Sequence, residues 1–157
     1  MAGKRINPDH VRAVMSAIAG SPFPALLSMK PLDLGVGHAA IGIDVQEKHR
    51  QLLGVVHGGV LASLIDTAAF WAVYYEIEDP DAWLVSVDLR LNYLASAAGG
   101  RIIGKGTRKR IGGKLCYAVA EATDETGGLL AHGAATLMVV KGKRPGGASP
   151  FPPKFLE

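Results

Sequence analysis

The chain is predicted to be an α+β protein in which a curved antiparallel sheet wraps around one long central helix. Three observations predict it. The stretch from about Gly58 to Ile77 is rich in Leu, Ala and aromatic residues, and a helix that is apolar on nearly every side must be buried on most of them. The chain beyond it falls into four strand-like runs separated by turn residues, the pattern of hairpin-joined strands. The 157 residues are 48% hydrophobic, which suits one domain with a sizeable core.

The elements follow in order. Asn7-Pro8 opens a helix, with Asn7 as the N-cap and Pro8 at the first helical position. Val11, Val14, Met15 and Ile18 follow at helical spacing, so a helix is expected over 7–19 and ends at Gly20-Ser21-Pro22. Phe23 to Met29 is apolar, with no state assigned. Leu32 to Val45 reads as two short strands joined near Gly37-His38, and Glu47 to Gly54 as a polar connection. The central helix closes at Glu78-Asp79-Pro80. Leu84 to Leu94 then alternates, with Val85, Val87, Leu89, Leu91 and Tyr93 on one face and Ser86, Asp88, Arg90 and Asn92 on the other. Strands are expected over Arg101 to Arg110, Lys114 to Asp124 and Leu129 to Val140, with turns at Gly112-Gly113 and Thr126-Gly127-Gly128. Residues 1–141 form the single domain, its core about 30–141. Residues 142–157 form a Pro- and Gly-rich tail, expected to be loose and peripheral.

Chemistry concentrates in Val55-Val56-His57-Gly58-Gly59-Val60-Leu61-Ala62-Ser63-Leu64-Ile65-Asp66-Thr67. A helix that begins with two glycines presents bare backbone N–H groups, a site for developing negative charge. Eight residues on, Asp66 places a carboxylate in a run that is otherwise apolar, which is costly unless the group is paired or used. A base and an oxyanion site in one segment suggest acyl chemistry. His57 and Asp66 are about 13 Å apart along a helix at 1.5 Å per residue. Either the substrate spans that gap or a second subunit supplies one of them, as a two-fold dimer does naturally. The plainer readings stay open: Asp66 as a hydrogen-bond anchor, His57 as a helix cap, Gly58-Gly59 as a packing device.

The segment from Gln51 through Asp66, followed by Val85-Ser86-Val87-Asp88-Leu89-Arg90-Leu91-Asn92-Tyr93-Leu94, resembles the hotdog-fold acyl-CoA thioesterases. The likeness is closest to the phenylacetate-pathway and 4-hydroxybenzoyl-CoA thioesterase branch, over roughly residues 30 to 141. The resemblance implies obligate dimers, often homotetramers, with active sites at the dimer interface and no cofactor beyond the coenzyme A of the substrate. It implies Asp66 as the catalytic acid, acting as general base or nucleophile, and Gly58 as the oxyanion donor. His57 then helps polarise the thioester carbonyl, Gln51 stands where the family has an Asn or Gln that orients water or thioester, and Ser86 positions the water. Gly59, Leu61, Ile65, Phe70 and Trp71 are expected to line an apolar pocket for a medium-chain or aromatic acyl group. Arg108, Lys109 and Arg110 are candidates for the phosphates of coenzyme A, and equally for a solvated hairpin.

Other classes recede. The net charge of +3 suits an anionic small molecule, and without aromatic–basic stacking surfaces it argues against nucleic acid. The apolar run Val60 to Tyr75 is short for a membrane span and interrupted by Asp66. Met1 to Pro8 carries no signal-peptide pattern, and the single cysteine, Cys116, fits a reducing, cytoplasmic setting. The lysines and arginine at 141, 143 and 144 read as solubilising. A hydratase of the same fold would need a differently spaced Asp and His. The main alternative is a non-catalytic acyl-CoA-binding dimer.

Overall fold

The computed structural model describes residues 5–142 and 149–156. Helix α1 spans Pro8–Gly20 and the short α2 Pro22–Leu26. Strands β1 (Lys30–Gly35) and β2 (His38–Asp44) form a hairpin, and the long helix α3 runs from Gly58 to Tyr74. Four strands follow: β3 (Trp83–Tyr93), β4 (Arg101–Ile111), β5 (Leu115–Asp124) and β6 (Leu129–Val140). They make one six-stranded antiparallel sheet in the order β1-β2-β4-β5-β6-β3. This is the hotdog arrangement, with β1 and β3 at its two edges.

The inner face of the sheet is lined by small residues. On β4 it presents Ile102, Gly104 and Gly106, on β5 Cys116, Ala118, Ala120 and Ala122, and on β6 Ala131, Gly133, Ala135 and Leu137, all buried. These positions share a face because they alternate along each strand. A Cβ added to Gly106 would stand 2.0 Å from the Ala68 carbonyl oxygen, and one on Gly104 2.6 Å from Leu64 Cγ. Helix α3 therefore lies directly on strand backbone. It answers with its own small residues, Ala68, Ala69 and Ala72, among Leu61, Leu64, Ile65 and Val73, all buried. Each large side chain so buried contributes about 1.5–3 kcal/mol.

Three differences from the sequence reading concern α3 and its surroundings. The helix stops at Tyr74, not Ile77: the Tyr75 and Glu76 N–H groups both turn to the Val73 carbonyl, and Lys154 donates to the Tyr74 and Ile77 carbonyls at 2.5 and 2.7 Å, which holds the chain as it leaves the helix. The tail is thus not loose where it is described. Ile6 and Phe155 form a β-bridge, and the Asn7 N–H donates to the Lys154 carbonyl at 3.1 Å. Residues 149–156 strap α1 to the end of α3; the tail cations at 143 and 144 lie outside the described residues. The connection before α3 is not uniformly polar, because Leu52 and Leu53 are 99% and 81% exposed. No helix among the described residues is long and apolar enough to cross a membrane.

Charged and polar groups pin the periphery. Asp44 at the end of β2 receives Arg101 at 2.6 Å and Lys30 at 2.7 Å. Those two cations, Arg101 foremost, hold its carboxyl far below the usual range. In the β5–β6 turn the Thr126 hydroxyl and the Gly128 N–H bond the Asp124 carboxylate and lower its pKa. His49 is fully buried. Its Nδ1 accepts from the Gln46 N–H at 2.9 Å and its Nε2 donates to the Leu27 carbonyl at 2.9 Å. Burial pushes its pKa below the ordinary 6.5, against the opposing pull of the Leu27 carbonyl.

Two predictions follow from this packing. Gly106→Ala should destabilise the fold by about 1–3 kcal/mol or more, because its methyl meets backbone that cannot step aside. Gly99→Ala, where nothing stands within 4 Å, should change stability by less than about 0.5 kcal/mol. Denaturant unfolding reads both. His49 makes stability fall on the acid side. The unfolded chain takes up a proton on this imidazole near pH 6.5 and the folded chain only below that. Its contribution is complete above pH 6.5 and is lost as pH falls towards the folded pKa, so His49→Asn should flatten the slope of unfolding free energy below pH 6.5.

Candidate active site

The site begins at the start of α3. His57 is its N-cap, and its Nδ1 accepts from the Gly59 N–H at 2.9 Å. An Nδ1 that accepts places the ring proton on Nε2, which faces outward without a partner among the described residues. The His57 carbonyl takes the Val60 N–H at 2.9 Å. That leaves the Gly58 N–H as the donor of the first turn with no partner among the described residues. It points out at the positive end of the helix.

Tyr93, at the end of β3, closes one side of that donor. A Cβ on Gly58 would stand 3.1 Å from two carbons of the Tyr93 ring and 3.2 Å from its hydroxyl oxygen, so a larger residue there would push this exposed ring aside by a few tenths of an ångström. Around them an open cavity of about 380 Å³ is lined by Val56, Gly58, Leu61, Tyr93, Leu94, Ala95 and Ser96. It holds no charged side chain. Sequence reasoning placed Leu61 here and missed Tyr93, which looked like one more apolar position on an alternating strand.

Asp66 lies eight residues along α3, about 12 Å further on. Ser86 Oγ donates to its Oδ1 at 2.9 Å. The alternation read from sequence put Ser86 on the face opposite Leu89, Leu91 and Tyr93. A β-bulge between Ser86 and Asp88 corrects that. Ser86 pairs with the buried Leu137 and Leu89 with the buried Ala135. The bulged Val87 shifts the alternation by one, so Ser86 and Tyr93 both face α3. Asp66 is also less buried than the apolar run suggested. Ser63, Asp66, Thr67, Phe70, Trp71 and Tyr74 are all half-buried; at helical spacing they form one stripe of α3 that the sheet does not cover.

The remaining candidates are scattered. Gln51 turns back on its own loop, its Oε1 accepting from the Leu53 N–H at 2.5 Å. Ile65 is fully buried, with Gly133 of β6 against it. Phe70 packs edge-on against Trp71 at 5.3 Å between ring centroids, one turn beyond Asp66 and outside the cavity. Gly59 donates to His57 as described. Arg108 is paired with Glu76 at 2.7 Å, which puts it at the far end of α3 from Gly58. Lys109 and Arg110 are exposed beside it, at a bulge in β4.

The likeness to known proteins agrees with this geometry. The model of the thioesterase superfamily matches residues 53–131, from the loop before His57 into β6. A 1,4-dihydroxy-2-naphthoyl-CoA hydrolase of Listeria monocytogenes is 32% identical over 108 residues, covering 69% of this chain and 87% of that protein. The crystal structure of zebra fish thioesterase superfamily member 2 superposes with a TM-score of 0.71 at 30% identity, over 82% of this chain and 94% of the other. A thioesterase of Haemophilus influenzae shares the fold with a TM-score of 0.79 at 20% identity, over 90% and 96%. A sheet closed on a glycine-headed helix and a family match across that same helix lead to one conclusion: the chain is a thioester hydrolase that belongs to the thioesterase superfamily.

Proposed function

We propose that the chain hydrolyses a medium-chain or aromatic acyl-CoA to the free acid and coenzyme A, at a site shared between two subunits. The observation that carries this reading is the pairing of an open Gly58 N–H with an apolar, uncharged cavity beside it. Such a cavity suits an apolar acyl group, and the donor suits its carbonyl oxygen. Acyl-CoA as the substrate class is supported by the hydrolase of Listeria monocytogenes and by acyl-coenzyme A thioesterase 13 of Mus musculus, 33% identical over 91 residues.

The chemistry follows from the placement of the groups. The thioester carbonyl oxygen lies against the Gly58 N–H, with the His57 Nε2–H as a second donor. Water attacks the carbonyl carbon while the Asp66 carboxylate takes its proton, and the negative charge passes to the oxygen held by Gly58. Collapse breaks the C–S bond, and the thiolate leaves with the proton returned from Asp66. In the other route Asp66 attacks the carbonyl carbon directly and the C–S bond breaks to release the thiolate; water then cleaves the mixed anhydride, freeing the acid and Asp66 and supplying the proton that the thiolate takes up. Ser86 holds the carboxylate in either route. Neither needs a resident metal or cofactor.

One chain keeps Gly58 and Asp66 about 12 Å apart, so the proposed site takes Gly58 and His57 from one subunit and Asp66 and Ser86 from the other. Three features support a second copy: the edge of β3 that pairs with no strand among the described residues, the half-buried part of α3 around Asp66 that the sheet leaves uncovered, and the exposed Leu52 and Leu53 beside His57. Lys109 and Arg110 are left to meet the phosphates of coenzyme A.

The test is release of free thiol from a panel of acyl-CoAs. Asp66→Asn should lower kcat by about a hundredfold or more with its melting temperature kept near wild type. Ser86→Ala should cost less, about tenfold, because it removes one hydrogen bond from a carboxylate that remains. A folded wild-type protein that binds acyl-CoA without turnover, or an Asp66→Asn protein of full activity, would contradict the reading.

A further inference from the structure

We propose that His49 is a positioning residue for the thioester site, acting through the N-cap of α3 and coupling that cap to the N-terminal helices. The inference rests on the proposed use of the Gly58 N–H and adds how that donor is aimed. Helix α3 begins with two glycines, the most freely rotating of residues, and the loop before it ends in a tip of exposed leucines. Nothing in that segment is stiff by composition, so its direction has to come from outside.

His49 supplies it by three bonds. Its carbonyl accepts the His57 N–H at 2.8 Å, which fixes the cap residue whose side chain holds Gly59. Its Nδ1 accepts the Gln46 N–H at 2.9 Å and closes the 3-10 turn Glu47–His49. Its Nε2 donates to the Leu27 carbonyl at 2.9 Å, at the end of α2. The imidazole is fully buried, so its removal would leave the Gln46 N–H and the Leu27 carbonyl without this partner and would loosen the turn that carries the His49 carbonyl. Two further ties, from the Val56 N–H to the Ala97 carbonyl at 2.7 Å and from the Gln51 N–H to the Val55 carbonyl at 2.8 Å, stop short of the cap. The link to Leu27 gives α1 and α2 a part in the site without their touching it. Lys48 strengthens the same junction, its Nζ donating to Ser28 Oγ at 2.7 Å.

The test compares three variants with wild type. His49→Leu fills the space and makes neither side-chain bond. His49→Asn places an amide oxygen where Nδ1 stands and keeps the turn closed. His49→Gln reaches towards Leu27 without closing the turn. Amide hydrogen exchange of the full chain without substrate reads the positioning directly. In His49→Leu the His57 and Gly59 amides should lose at least about tenfold of their protection, while amides in β4 and β5 keep theirs. Thiol release from octanoyl-CoA and benzoyl-CoA should show kcat lowered about tenfold or more with KM within about twofold, since a small misplacement of a reacting group is costly. His49→Asn should recover only part of both, because its amide closes the turn but does not reach the Leu27 carbonyl. Should His49→Leu fail to fold, His49→Gln is expected to show the same losses in smaller measure, because it leaves the turn open while reaching towards Leu27. Wild-type protection at His57 and Gly59 in the disrupting variant, or a kcat that falls only with the folded fraction, would reduce His49 to a core contact. The exchange result stands whether or not the protein turns over acyl-CoA, so it separates this inference from the proposed function.

Discussion

The close contact between α3 and the glycine- and alanine-lined inner face of the sheet is the constraint on which the rest depends. Gly104 and Gly106 let the helix rest on the backbone of β4, with no room for a Cβ between Gly106 and the Ala68 carbonyl. A helix held that near cannot slide or roll by much, because protein interiors are packed without slack. The body of the helix therefore has one position relative to the strands, and the hydrogen bonds at its N-cap aim the Gly58 N–H within that frame. The same closeness decides which side of α3 stays open. The buried side is committed to Leu61, Leu64, Ile65, Ala68, Ala72 and Val73, and the stripe from Ser63 to Tyr74 is what remains. Asp66 sits on that stripe.

Strand β3 completes the arrangement from the edge. Its ladder with β6 is broken once, at Val87. Without that extra residue Ser86 would point away from α3 whenever Leu89, Leu91 and Tyr93 point towards it. The bulge turns two out-of-phase halves of one strand onto the same face, so that one half serves Asp66 and the other closes over Gly58. Bulges near functional sites re-aim side chains in this way. The other side of β3 has no strand partner among the described residues, and the proposed second subunit would meet it there.

Much of this was legible in the sequence, for physical reasons that can be named. The strands after α3 announced themselves because glycine turns bounded each alternating run, and the α1 start because Asn7-Pro8 is a capping pair. The Gly58-Gly59 helix start and the lone Asp66 were visible because they break a strong apolar pattern. What was hidden depended on tertiary pairing. A period-2 pattern carries no mark of a bulge when both halves are well formed, so Ser86 was assigned to the wrong face and Tyr93 went unnoticed. His49 lay inside a stretch that composition marks only as polar. Ile65 was taken for a pocket residue because a helix apolar all round does not say which side the sheet will cover. Residues 149–156 of the tail were misjudged because prolines and glycines suggest looseness, whereas the fixing groups are Lys154 and backbone carbonyls far away in sequence.

The central claim is that the oxyanion donor and the carboxylate of one site come from different subunits. Mixing inactive chains tests it most directly. Asp66→Asn and His57→Ala proteins, once each is shown to be inactive alone, would be unfolded, refolded together in equal amounts and assayed for thiol release. Random pairing makes half of the dimers mixed, and each mixed dimer has one site free of both substitutions. The account predicts recovery to about a quarter of wild-type activity. No recovery, with mixed dimers shown to form, would place the whole site within one chain and contradict it.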